Sequence, residues 1–273
     1  MQLAVLYEDY HLIAVNKPAG LLTQGVPQLS PIPTLEALVK DYIKVKYEKP
    51  AGVYLGIPHR LDRPVSGVVV FARNTKAAQR IAAQFQAHRV RKTYWAVLAG
   101  HLPAASGRWE DWLRKIPEEA RTVLASAGEP GAKLAVLDYR VLAYLGQPTA
   151  AATAADATAS TATAADATTT ATLVEFTPQT GRMHQLRVQS ASRGSPILGD
   201  AMYGCTRPFG PPAESPRDRL IALHAASICL EHPTLHAALT ITAPLPDYWQ
   251  ALGLPLSLLA PDRAAAIDWP KYG

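Results

Sequence analysis

The stretch His59–Ala72, HRLDRPVSGVVVFA, changes character halfway along. Its first half is polar and turn-forming, with Pro64 and Gly67. Its second half, Val68-Val69-Val70-Phe71-Ala72, is an apolar run with the length and β-branching of a buried strand. A loop that carries charge therefore feeds directly into the core. Downstream, NTKAAQRIAAQFQAHR (Asn74–Arg89) reads as a helix capped by Asn74 or Thr75, with Ala78, Ile81, Ala82 and Phe85 on its core face. KTYWAVLAG (Lys92–Gly100) then reads as a strand ending on glycine. Upstream, Leu3–Tyr7 and Leu12–Asn16 are short strands followed by a turn at Pro18-Ala19-Gly20, and Leu35, Leu38, Val39, Tyr42 and Ile43 recur at helical spacing behind a Thr34 cap.

Beyond Gly100 the pattern weakens, with strand-like pieces around Lys133–Leu145, a further strand at TLVEFTP (Thr172–Pro178) and a helix expected to begin near Met183. LIALHAASICL and LHAALTITAP read as a hairpin that turns at His232-Pro233-Thr234. Strands and helices alternate irregularly, which predicts an α+β fold with a mixed, largely antiparallel central sheet and flanking helices. The whole of 1–273 reads as a single domain. Thr149–Thr172 stands apart: it contains only Ala, Thr, Asp and Ser, and ATAADAT occurs in it twice. Lacking large apolar side chains to offset ordering entropy, it is expected to be a flexible surface insertion without a catalytic role.

Composition excludes several classes. With 48% hydrophobic and 18% charged residues the chain is of ordinary globular type. No run of some eighteen uncharged apolar residues offers a membrane span, and the N-terminus lacks the basic and apolar regions of a secretion signal. Cys205 and Cys229 have neither disulfide-framework nor zinc spacing, so a reducing cytoplasm is the expected location. The net charge of +5 is uneven: eight Lys or Arg residues lie between His59 and Trp95 against a single acid, Asp62. A solvated helix face accounts for such a run, and so does a surface for a polyanion such as nucleic acid.

The chain carries no Gly-rich phosphate loop, GxSxG elbow, HExxH or CxxC. Ser66, His59 and Asp62 are too close in sequence to form a hydrolase triad, whose members come from separate elements. His232 and His236 are four apart, but Pro233 argues against a helical metal pair. An Asp among arginines, taken alone, reads as a salt-bridge partner.

Five stretches in order alter that reading: NKPAG near the start, HRLDRPVSG, RKTYWAVLAG, TGRMHQLRVQ followed by PILGDAMYG, and LHAASICLEHP. Together they resemble the RluA-type pseudouridine synthases, which carry an HRLDxxTSG motif, a KxYxAxxxG strand and a GRxHQIR motif. The resemblance runs from Leu3 to about Trp249 and omits only the Ala/Thr insertion. It implies an RNA isomerase that breaks the C1′–N1 bond of uridine, turns the uracil and joins C5 to C1′. The catalytic carboxylate implied is Asp62, acting at C1′ as nucleophile or at C2′ as base, with Arg187 as the guanidinium that keeps it ionised. Tyr94 is the implied active-site tyrosine, its ring against a flipped base and its hydroxyl near the C5 proton. Arg60 takes the place of the flipped base or contacts phosphate. His59, Arg182, His184 and Gln185 bind RNA or hold the Asp62 loop, His184 serving equally as a hydrogen-bonded core residue. Lys17 contacts RNA or is structural. Asp200, Tyr203 and Gly204 look architectural.

Departures from the family pattern are Val65, Met183 and Leu186, where Thr, Thr and Ile are usual; none touches the Asp, Tyr or Arg. The small N-terminal RNA-binding module of some relatives is not expected. No cofactor or metal is implied, the partner is ribosomal or transfer RNA, and a monomer is the default. Two other classes compete: a catalytically inactive RNA-binding or RNA-folding protein, and a glycosidase, which would need a second carboxylate.

Overall fold

The computed structural model describes residues 3–25, 33–49, 52–146 and 170–254. Ten strands form one sheet among these residues: β1 (Ala4–Glu8), β2 (Leu12–Lys17), β3 (Ser66–Ala72), β4 (Arg91–Ala99), β5 (Ser106–Ile116), β6 (Arg121–Ala125), β7 (Lys133–Leu145), β8 (Ala171–Pro178), β9 (Leu223–Glu231) and β10 (Ala238–Thr242). Their order is β1-β2-β3-β9-β4-β8-β7-β5-β6, with β10 paired to β9. Every pairing is antiparallel except β3 with β9, which meet in parallel at Ser66↔His224 and Gly67↔Ala225. The fold is α+β with a mixed, largely antiparallel sheet, as the irregular alternation predicts.

Among the described residues three α-helices flank it: α1 (Leu35–Lys46), α2 (Thr75–Gln86) and α3 (Gln185–Ala191). The expected caps are in place. Thr34 Oγ1 accepts from Ala37 N–H at 3.2 Å, and Asn74 Oδ1 accepts from Ala77 N–H at 2.9 Å. Helix α2 buries Ala77, Ile81 and Gln84, one residue round from the expected stripe; Gln84 can be buried because it exchanges two hydrogen bonds with the Glu231 backbone. Helix α3 starts at Gln185 rather than Met183 because His184 has a left-handed φ of 53°, which ends the preceding turn before the helix begins.

Strand β3 is buried throughout, and Val68–Ala72 are the centre of the core. The strand meets β9 most closely at Gly67, whose φ is +118° and where an added Cβ would lie 2.3 Å from Ala225 O. No other residue type fits there. The Ala/Thr segment falls largely on 147–169, outside the described residues; its last two members, Ala171 and Thr172, are the first residues of β8. Among the described residues no helix is long and apolar enough to cross a membrane.

Candidate active site

The loop between the buried core and β3 carries Asp62, and the turn after β2 braces it. Gly20 N–H donates to Arg63 O at 2.8 Å while Arg63 Nε donates back to Gly20 O at 2.9 Å. Thr23 Oγ1 donates to Leu61 O at 2.8 Å and accepts from Leu61 N–H at 3.2 Å. Lys17, fully buried, donates to the carbonyls of Pro18, Leu21 and Arg63 at 2.9, 2.7 and 3.2 Å. Burial draws its ammonium down to about 7, opposed by the nearby Asp62 charge, and the three carbonyls add their own preference for the charged form. Of the two readings of Lys17, RNA contact or structural residue, its burial favours the structural one. Its side chain has no route to solvent and acts as an internal strut under the Asp62 loop.

From the other side, α3 delivers Arg187. Its guanidinium is bidentate to Asp200, with Nε to Oδ2 at 2.7 Å and Nη2 to Oδ1 at 2.8 Å, and both side chains are buried. The remaining nitrogen, Nη1, lies 3.5 Å from Asp62 Oδ2. Asp62 is thus Arg187's second carboxylate, and Asp200, which the sequence presents as architectural, is its first. The Asp62 carboxylate is about a third exposed at 32%. Burial alone would strip charge from Arg187, but the two acids more than offset it and its proton is held more tightly than usual.

His184 extends this network. Its Nε2 lies 3.6 Å from Asp62 Oδ2, beyond hydrogen-bond reach, and its Nδ1 is 2.9 Å from the Tyr203 hydroxyl. Thr122 N–H donates to that hydroxyl at 3.0 Å. Burial holds His184 below its usual pKa, so one ring nitrogen is protonated at neutral pH. The Tyr203 hydroxyl also donates to Thr122 O at 3.1 Å, so Thr122 O and His184 Nδ1 share one hydroxyl proton, and the His184 tautomer follows from which of them takes it. Tyr203 also lies under the Arg187 guanidinium, 5.0 Å from ring centroid to Cζ.

Strand β4 forms the third wall. Tyr94 and Lys92, two apart, share one face of the strand. Both border a cleft of about 580 Å³ together with His59, Arg60, Asp62, Phe85, Arg182, His184 and Arg187. Burial and the Asp62 charge push the Tyr94 phenol well above its usual range, so it stays protonated. His59 accepts from Val70 N–H at 3.0 Å through Nε2 and stacks on Phe85 with ring centroids 5.2 Å apart. Burial, helped by Lys92, draws its pKa to about 3.

Of the nine residues singled out in the sequence, all but Lys17 line this one cleft. Several are committed elsewhere. Gln185 is buried, its Oε1 accepting from Thr180 Oγ1 and Arg182 N–H, its Nε2 donating to Val136 O. Of its two readings, RNA contact or support, this tying of the turn to β7 favours support. His59, bound to the β3 backbone, is likewise a support. Arg182 donates through Nε to Leu134 O at 2.9 Å and lines the cleft. Arg60 is exposed at the rim, with no partner among the described residues.

The rejected constellations are absent in space too. Ser66 Oγ lies 2.9 Å from His224 Nδ1, not near His59. His232 pairs with Asp9 and His236 with Glu231. Asp200 and Tyr203, read in the sequence as architectural, turn out to hold Arg187 and His184, contacts that the motifs do not spell out. The signal available for Asp200 was a buried arginine in a motif that already used one acid.

The family model for RNA pseudouridylate synthase matches residues 11–192. Among curated relatives, a tRNA pseudouridine synthase C of Haemophilus ducreyi is 34% identical over 255 residues, spanning 92% of this chain and 95% of that protein. A ribosomal large subunit pseudouridine synthase C of Rickettsia felis is 31% identical over 245 residues, spanning 90% of this chain and 68% of that one. The solved structure of human RNA pseudouridylate synthase domain containing 4 shares the fold, with a TM-score of 0.66 at 24% identity, covering 94% of this chain and 92% of that one. The mixed, largely antiparallel sheet is thus the frame of a pseudouridylate synthase fold. The chain belongs to the RNA pseudouridylate synthase family, of the RluA type, and is an isomerase acting on RNA.

Proposed function

We propose that this chain isomerises uridine in transfer or ribosomal RNA, the two substrates named for its relatives, with Asp62 as the catalytic carboxylate. The observation that carries the reading is that Asp62 is the sole acid among the described residues lining the cleft. Asp200 has both oxygens on Arg187. A glycosidase of the two-carboxylate kind has no second acid to use here. One carboxylate suffices for pseudouridine formation because the uracil leaves as a tolerable anion and stays bound.

The reaction then divides among the walls of the cleft. A uridine flipped from its helix enters base first, and its uracil stacks on Tyr94. Asp62 attacks C1′ or removes the C2′ proton, and the C1′–N1 bond breaks. The uracil turns and bonds through C5 to C1′ as the Asp62–C1′ ester bond breaks or, on the other route, as the proton held by Asp62 returns to C2′, so that the carboxylate is regenerated. The C5 proton then passes to solvent while N1 takes one up, and the protonated Tyr94 hydroxyl serves that step as a hydrogen-bonding relay rather than as a phenolate base. Arg60 faces the RNA at the rim.

The test combines Asp62→Asn with chemical mapping of pseudouridine in cells that have or lack this protein. A site is expected to vanish with the protein and to stay absent when only Asp62→Asn is restored, while the purified variant still binds that RNA. Full activity in Asp62→Asn refutes the assignment. Restoration of the deletion phenotype without pseudouridine favours an RNA-binding protein instead.

A further inference from the structure

Lys92 is the cation inside the cleft, away from its exposed rim, that no described residue answers. No described residue accepts a hydrogen bond from its ammonium and no carboxylate lies within ion-pairing distance. Yet the side chain is half-buried and lines the cleft. The other cations facing this space are committed or outside it: Arg187 is held by two acids, Arg182 by Leu134 O, and Arg60 is at the exposed rim. Opposite Lys92 the chain narrows to Gly181, where a Cβ would stand 3.9 Å from Nζ, so the ammonium sits against bare backbone. A half-buried ammonium with no described partner is a charge that an incoming anion would pair with.

We infer that Lys92 is a catalytic residue that stabilises the departing uracil as an anion, its ammonium donating to a ring carbonyl oxygen. The inference rests on the pseudouridine synthase reading. It follows from position: Lys92 projects from the same face of β4 as Tyr94, two residues away or about 7 Å along the strand. If the base stacks on Tyr94, a lysine side chain reaches its edge. The phosphates of a nucleotide that enters base first remain at the rim, where Arg60 is.

When the C1′–N1 bond breaks, its electron pair goes to the uracil and spreads over N1, O2 and O4. The ammonium faces that charge without giving up a proton. When C5 bonds to C1′ the same pair forms the new bond, and the charge is withdrawn. The role is the same whether Asp62 acts at C1′ or at C2′. It is an interaction stronger in the transition state than in the ground state, because neutral uracil oxygens attract the cation less.

The experiment compares wild type, Lys92→Met and Lys92→Arg in single turnover on transfer and ribosomal RNA transcribed with uridine or with 5-fluorouridine. Loss of the starting nucleoside is read by mass spectrometry. 5-Fluorouracil is the more acidic leaving group and needs less help. Lys92→Met is expected to slow uridine cleavage by about 10²-fold, the scale of one lost oxyanion donor, and 5-fluorouridine cleavage distinctly less. Lys92→Arg should recover part of the uridine rate. RNA affinity, measured in the Asp62→Asn background, should stay within a few-fold. Equal loss on both RNAs overturns the inference, as does an unchanged rate. So does weakened binding with a salt dependence shallower by about one ion, the mark of a phosphate contact. If wild type makes no pseudouridine on any RNA, it is the functional reading that fails.

Discussion

Replacing Asp200 by Asn is the sharpest probe of how the site is organised. The change keeps the side chain's shape but removes its charge and turns one of two acceptors into a donor aimed at an Arg187 N–H. Two charge-assisted bonds of 2.7 and 2.8 Å become one neutral bond and one donor–donor conflict. Both side chains are almost wholly buried, at 5% and 1% exposed, so solvent cannot repair the loss. Breaking a buried pair in this way costs about 3–5 kcal/mol. In a domain of this size that lowers Tm by roughly 10 °C. Arg187 then has only Asp62 as a counter-charge and is drawn towards it. A displacement of about 1 Å at a reacting group costs about 10²-fold in rate. Thermal melting and single-turnover pseudouridine formation, the latter well below the lowered Tm, read the two effects separately. A variant as stable and as fast as wild type refutes the claim that Asp200 sets Arg187. A variant that is destabilised but equally fast refutes the coupling of Arg187 to Asp62.

Two further outcomes follow from the same structure. Gly67→Ala should not yield folded protein, because its Cβ would collide with Ala225 O at the β3–β9 crossing; a soluble variant with a native melting curve would overturn this. His59 and His224 are held neutral by burial, with pKa values drawn to about 3 and about 4. Unfolded, each takes up a proton near its ordinary value of about 6.5, so stability is full above that pH and is lost as pH falls towards the folded values. The slope is up to about 1.4 kcal/mol per pH unit for each histidine, and a urea midpoint that stays flat from pH 6.5 to 4.5 would contradict it.

The parts of the fold legible in the sequence are those whose residues bury one clear face. β3 is apolar throughout, and α1 carries Leu35, Val39 and Ile43 behind a capping threonine. β5 and β6 were not legible because they extend away from the core: in Ser106–Ile116 only Trp109 and Leu113 are buried, separated by Glu110, Asp111 and Trp112 and flanked by Arg108 and Arg114, which pair with Asp138 and Glu129. Of the site, Asp62, Tyr94 and Arg187 were found through motif order, since no local property distinguishes them. Lys17 and Gln185 belong to the same motifs, and their motif membership does not reveal which side of the loop they occupy. A buried lysine on three carbonyls and an exposed lysine on phosphate look identical in sequence.

That placement bears on why the carboxylate is available at all. The Asp62 loop is fixed almost entirely through main chain, by Lys17, Gly20 and Thr23 on one side and by the Gly67 crossing on the other. The side chain itself is left with one long contact to Arg187 among the described residues, and with His184 just out of reach. A carboxylate clamped by a bidentate guanidinium would be well placed but poorly reactive, because its lone pairs would already be engaged. Here Asp200 takes the bidentate role, so Arg187 orients and polarises Asp62 from 3.5 Å without consuming it. In the proposed reaction the free oxygen is the one that meets the ribose. The second acid in the network thus acts by keeping the first one underbound.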